Sequence, residues 1–111
     1  MLLPNAHLAV VEQQKICEYL LNAAHPDNGG KAQFFTAVGF TSAAWEQLAD
    51  ALREMARTVA VTIRTDSIHG EKFVLEGELR APSGIAPRVR SVWIIDRGSP
   101  APRLVTAYPC A

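Results

Sequence analysis

A histidine and a lysine flank a flexible turn in His25-Pro26-Asp27-Asn28-Gly29-Gly30-Lys31, which runs on into the aromatic pair Phe34-Phe35. An imidazole titrates near neutrality, so His25 is suited to taking or giving a proton. Lys31 offers a compact positive charge, and Gly29 and Gly30 let the backbone approach an anion closely. The other chemically capable stretch lies at the far end, in Arg103-Leu104-Val105-Thr106-Ala107-Tyr108-Pro109. Arg103 could grip two anion oxygens at once. Thr106 and Tyr108 supply hydroxyls, and the Tyr108 ring is a stacking surface. No standard catalytic motif occurs. The residue types amount to a general acid or base, two cations and two hydroxyls, useful only if the fold brings the two stretches together.

Each of these residues also has an ordinary explanation. His25 stands before a proline at a helix end and can cap the last carbonyls. Gly29-Gly30 makes a turn. Lys31 opens a helix as a solvated side chain, although a cation there opposes the helix dipole. On an ideal strand Arg103 points away from Thr106 and Tyr108, so the three converge only across a bulge. His69 falls in a hairpin and His7 near the N-terminus. Glu76 and Glu78 share one strand face and read more simply as solvated residues than as a carboxylate pair. Cys17 sits in a helical pattern and Cys110 is penultimate, a spacing that suggests neither a metal site nor a disulfide framework. No cofactor is implied.

The elements that must position these groups are legible from periodicity. A helix is expected from about Glu12 to Asn22, with Ile16, Leu20 and Ala23 on one stripe and Tyr19 beside them. It ends before Pro26, because the residue preceding proline avoids the α region. Lys31 to Val38 reads as a short helix closed by Gly39. Thr41 is an N-cap candidate for a third helix, about Ser42 to Arg57, whose stripe is Trp45, Leu48, Leu52 and Met55. From Thr58 onward the period changes to two. Val59, Val61 and Ile63 mark one strand, and Phe73, Leu75 and Leu79 a second. Arg88 to Ile95 and Arg103 to Tyr108 make two more, with turns at Asp66–Gly70, Pro82–Gly84 and Asp96–Pro100. Helices followed by a meander predict an α+β fold: N-terminal helices packed on one face of a twisted antiparallel sheet of about four strands, in one domain spanning 1–111.

Trp93 raises a question of facing. If Val92 and Ile94 face the helices, then Trp93, Thr106 and Tyr108 lie on the open face and form an aromatic platform for a ligand or a protein partner. The other reading makes Trp93 and Tyr108 edge core residues, and periodicity alone favours it slightly.

Bulk properties narrow the partners. Eleven Lys and Arg balance eleven Asp and Glu among 111 residues, so no global basic field advertises nucleic-acid binding. Residues 1–58 carry four cationic and six anionic side chains, and residues 59–111 carry seven and five, which puts the cations on the sheet. A hydrophobic share of 49% is that of a folded chain, not a disordered one. No stretch approaches membrane-spanning length, and Met1-Leu2-Leu3-Pro4 lacks a signal-peptide pattern, so the cytoplasm is the expected location and no membrane is a partner.

Three stretches taken together carry a family resemblance: Leu3-Pro4-Asn5-Ala6, His25-Pro26 through Lys31-Ala32-Gln33-Phe34-Phe35 with Gly39-Phe40, and Arg103 through Pro109. Their order and spacing resemble a family of small bacterial domains of unknown function, which occur free-standing and at the C-termini of polymorphic toxins. The helices-then-sheet order and the Val-Thr-Ala-Tyr-Pro ending also resemble the barnase/EndoU/colicin/RelE-type ribonucleases. That second resemblance implies metal-independent cleavage of RNA, in which the 2′-hydroxyl is the nucleophile. Under it, His25, Lys31 and Tyr108 are the catalytic candidates. Arg103, Thr106, Trp93, Gly29 and Gly30 are the substrate-binding ones. RNA is the implied substrate, and an antitoxin or immunity protein the implied partner. The alternative is a non-catalytic interaction domain that binds a protein partner, or a second copy of the chain, through the open face around Trp93 and Tyr108.

Overall fold

In the computed structural model, which describes residues 1–110, the apolar stripe of the third helix does what its spacing predicts. Leu48, Leu52 and Met55 are buried and Trp45 is half-buried. This helix, α3, spans Trp45–Thr58. It follows α1 (Gln13–Lys15) and α2 (Lys31–Ala37). Directly after α1 the chain loosens into a π turn, Ile16–Leu20, closed by the bond from Leu21 N–H to Ile16 O. Widening the turn to five residues buries Ile16 and Leu20 and ends the helix there. Ala23, expected on the same stripe, is exposed. An extra residue in a helical turn rotates everything after it, which period counting misses.

The four strands are β1 (Val61–Asp66), β2 (Gly70–Glu78), β3 (Arg88–Asp96) and β4 (Pro102–Pro109). They pair antiparallel in the order β1-β2-β3-β4, the meander that short connections favour. The result is the expected α+β fold. The N-terminal arm adds to the far edge: Val10 N–H donates to Pro102 O and Leu104 N–H to Val10 O, making a parallel bridge opposite Arg103.

The inner sheet face carries Phe73, Leu75, Leu79, Val89, Trp93, Leu104 and Ala107, all packed with the helices into one core. Trp93 is fully buried, and its indole N–H donates to Ser91 Oγ at 2.9 Å. The aromatic platform around Trp93 on the open face is therefore corrected: its ring belongs to the core, as the reading that periodicity slightly favours has it. Val92, its neighbour, lies on the other face with Ile94, where Val92 is half-buried and Ile94 is buried. A hydroxyl two residues away on the same face satisfies the indole, so burying a large ring there leaves no polar atom stranded.

Two bulges reset the alternation. In β1, Val61 pairs with Leu75 but Ile63 pairs with Val74, so Ile63 leaves the face of Val61 and is 48% exposed. In β4, Val92 pairs with Thr106 and Trp93 with Leu104, so Val105 is the extra residue. Leu104 and Ala107 are consequently both buried, and Arg103, Thr106 and Tyr108 come to share the open face.

Candidate functional site

The loop between the π turn and α2 is riveted by Asn28, which is buried although polar. Its amide nitrogen donates to Tyr19 O at 2.6 Å, and its carbonyl oxygen accepts Ala32 N–H at 2.9 Å. One side chain thus caps the end of the π turn and the start of α2 together. Gly29 and Gly30 follow with φ of 63° and 85°, a left-handed pair that side chains with a β-carbon resist. Lys31 then reaches back over the loop, and its ammonium donates to Asn28 O at 3.1 Å and Asp27 O at 3.4 Å. Those carbonyls, together with two tyrosine faces, offset the unfavourable position of a cation at a helix start.

The two faces belong to Tyr19 and Tyr108. Lys31 Nζ lies 5.4 Å from the Tyr19 ring centre and 5.9 Å from that of Tyr108. The loop and the last strand, distant in sequence, therefore meet. Tyr19 is the hub of the meeting. Its hydroxyl shares a hydrogen bond of 3.2 Å with Thr106 Oγ1. Its ring also makes an edge contact with His25 at 5.0 Å between centres. His25 joins the cluster through Tyr19. Its Nδ1 accepts the Asp27 N–H at 3.0 Å, so the neutral ring carries its proton on Nε2.

On the open sheet face, Glu76, Arg90 and Tyr108 stand side by side across β2, β3 and β4. Arg90 Nη2 donates to Glu76 Oε1 at 2.8 Å, and Nη1 reaches the Tyr108 hydroxyl at 3.5 Å. The Tyr108 hydroxyl and, after it, Glu76 push the Arg90 pKa above its ordinary value, so its charge is fixed. Cys110 is tied down rather than loose: its N–H donates to Arg88 O and its thiol approaches Glu76 Oε2 at 3.7 Å.

Arg103 shares the face of Thr106 and Tyr108 but is otherwise engaged. Its Nε and Nη2 hold Asp96 in a fork, at 2.6 and 3.1 Å. Hydrogen bonding from Arg103 holds the Asp96 carboxyl below the usual aspartate range. Arg103 still lines a cleft of about 380 Å³ with Glu12, Lys15, Glu18, Tyr19 and His25. Tyr19 forms a wall of this cleft, and its hydroxyl turns to Thr106 on the sheet.

The cluster thus joins Lys31 to Tyr108 directly and to Thr106 and His25 through Tyr19, with Gly29 and Gly30 in the loop that holds Lys31. Trp93 lies outside it, in the core. Tyr19, Asn28 and Arg90 were not singled out by sequence reasoning, and Glu76 was weighed only as half of a pair with Glu78 and read as solvated. Tyr19 looked like the flank of a helix stripe, and Arg90 like one of several strand cations. Only the alternation of β3 signalled that Arg90 faces the side of Glu76. Among the described residues, no group of three or more His, Cys, Asp and Glu is arranged to hold a metal ion, and no helix is long and apolar enough to cross a membrane.

A family model described as a domain of unknown function, DUF6883, matches residues 2–111. The chain belongs to this family. No curated protein matches its sequence. Among solved structures, this DUF6883 chain is similar to a chain from a contact-dependent growth inhibition toxin–immunity protein complex from Klebsiella pneumoniae 342. The TM-score is 0.72 over 91% of this chain and 99% of that one, at 17% identity. At that identity the likeness is one of fold.

Proposed function

We propose that this DUF6883 chain is a metal-independent, endoribonuclease-like toxin domain that cleaves RNA by transesterification at the 2′-hydroxyl. The observation that carries this reading is the meeting of the His25–Lys31 loop with β4, which links Lys31 to Tyr108 and, through Tyr19, to Thr106. The fold likeness to a chain of a toxin–immunity complex supports a toxin or immunity-like role, with an immunity protein or antitoxin as the partner.

In this reaction the 2′-oxygen attacks the neighbouring phosphorus, the bond to the 5′-oxygen breaks, and a cyclic phosphate remains on the upstream fragment. A proton leaves the 2′-hydroxyl and another reaches the 5′-oxygen. His25 and Tyr108 are the two proton-transfer groups. The neutral His25 ring offers an N–H at Nε2, so in this state it hydrogen-bonds to the phosphorane, and giving a proton to the departing oxygen requires its imidazolium form or the Tyr108 hydroxyl. Accepting the 2′-hydroxyl proton at Nδ1 requires it first to release the Asp27 N–H. Lys31 supplies positive charge beside the phosphate, with the Gly29–Gly30 backbone next to it. Thr106 orients through its hydroxyl, and the Tyr108 ring offers a base a stacking surface.

Expression of wild type and the His25→Ala, Lys31→Ala double variant in bacteria tests the proposal. Wild type is expected to slow growth and fragment RNA, and the double variant to do neither. Equal growth with intact RNA in both would end the ribonuclease reading. The interaction-domain alternative loses Trp93 as its anchor. It keeps Tyr108, and gains Ile63, which the β1 bulge turns outward at the end of the open-face row Ile63, Val74 and Val92. A stable complex with an immunity protein, but no RNA damage, would favour that alternative.

A further inference from the structure

We propose that Arg90 is the residue that grips the RNA phosphate in this site, and that Glu76 is the counter-ion it gives up to do so. The inference rests on the ribonuclease reading above and names the anion-binding residue of that site, a role for which the sequence pointed to Arg103.

The two arginines differ in what they have left to give. Arg103 spends Nε and Nη2 on the two oxygens of Asp96, the fork that would otherwise take a phosphate. Arg64 is paired with Glu71, and Arg97 with Asp66, Ser67 O and Ile68 O. Arg90 has one short charged bond, from Nη2 to Glu76, and a long one, from Nη1 to Tyr108. Its Nε is buried and has no partner among the described residues. With Nε closed off, the donors an arriving phosphate can reach are those of Nη1 and Nη2, and of these only Nη2 is held by a short charged bond.

Position completes the case. Arg90 Cζ lies 5.8 Å from the Tyr108 ring centre, and Lys31 Nζ lies 5.9 Å from the same centre. Two cations therefore bracket the tyrosine that the mechanism uses. The Arg90 and Glu76 side chains are 36% and 23% exposed, so the pair is reachable from solvent. The adjacent row on the open face, Val74, Val92 and Thr106, is half-buried and mostly apolar, a floor on which a ribose or base can rest. A phosphate arriving at Arg90 meets the Tyr108 hydroxyl at once. The single carboxylate in its way is Glu76, which already has a second contact to retain, the Cys110 thiol.

The test measures binding of a single-stranded RNA oligonucleotide made uncleavable by 2′-O-methyl groups, across a range of salt, alongside cleavage of unmodified RNA. Arg90→Ala is expected to weaken binding about ten- to a hundredfold. The salt slope should fall by about 0.7, the loss of one phosphate contact. Glu76→Gln keeps the shape and removes the competing charge, and is expected to bind about two- to fivefold tighter. Arg97→Ala, remote from the cluster, should bind and cleave as wild type does. Unchanged affinity and slope for Arg90→Ala, with RNA still cleaved by wild type, would overturn the assignment and leave the ribonuclease reading standing. Wild type that neither binds nor cleaves RNA would overturn both. Should Arg90→Ala fail to fold, Arg90→Lys replaces it: it keeps the charge, loses the fork, and should bind several-fold more weakly. A Glu76→Gln variant that binds no tighter than wild type also defeats the exchange.

Discussion

Arg90, Ser91, Val92 and Trp93 are consecutive on one strand and belong to two different environments. Ser91 and Trp93 are fully buried and bond to one another beneath the helices. Arg90 and Val92 face outward, Arg90 in the polar row with Glu76 and Tyr108. The inner face is apolar, closed and saturated in its hydrogen bonds. The open face keeps half-exposed charges with donors to spare. Stability and chemistry are thus assigned to alternate residues of the same element, and substitutions on the two faces should fail in different ways.

The largest effect is expected on the inner face. Trp93→Ala should cost roughly 3–5 kcal/mol in denaturant unfolding, since it empties a closed cavity and strands Ser91. A loss under about 1 kcal/mol, the usual scale of surface positions, would move Trp93 back to the open face. Asn28→Ala comes next. It removes the rivet between the π turn and α2, and should cost about 2 kcal/mol and speed amide exchange of Ala32. On the open face, Tyr108→Phe should leave stability within about 1 kcal/mol of wild type while RNA cleavage falls about a hundredfold. Equal losses of stability and activity there would blur the division between faces. Ile63→Thr, at the exposed bulge of β1, should change stability by no more than about 0.5 kcal/mol.

The smallest effect is pH-dependent. The Asp96 carboxyl is held below its ordinary value of 3.8 by hydrogen bonding from Arg103. A lowered folded-state pKa stabilises the fold above the unfolded value, and that contribution disappears as pH falls through the folded one. Asp96→Asn should therefore melt slightly below wild type at neutral pH, and the gap should close as pH drops beneath 3.8. A gap that persists in strong acid would mean that packing, not the charge, is what the substitution removes.

Much of the fold was readable because it depends on period and composition. The stripe of α3, the alternation Phe73, Leu75, Leu79 and the turn-forming Asp96–Pro100 announce themselves locally, and their order implies a meander under helices. One group of departures comes from local insertions. A π turn after Lys15 and bulges at Val61/Ile63 and Val105 each shift the period by one residue, which exposes Ala23 and Ile63 and supplies the bulge that Arg103, Thr106 and Tyr108 need to share a face. Facing was the other difficulty. Periodicity leans only slightly toward a core Trp93 over Val92 and Ile94, and the partner strands and Ser91 decide the choice.

The sequence by itself determined which residues are capable of chemistry: a histidine and a lysine around a glycine turn, and hydroxyls on a terminal strand. It also determined that helices would cover a meander sheet, since hydrophobic period is a local property. The tertiary structure decided which of those residues meet. It delivered Lys31 to Tyr108 through the hub of Tyr19, and a single extra residue in β4 turned Arg103 onto their face. It then gave the Arg103 fork to Asp96 and left Arg90 Nη1 only loosely engaged, 3.5 Å from the Tyr108 hydroxyl. Such pairings depend on distances between segments far apart in the chain, and no local pattern encodes them.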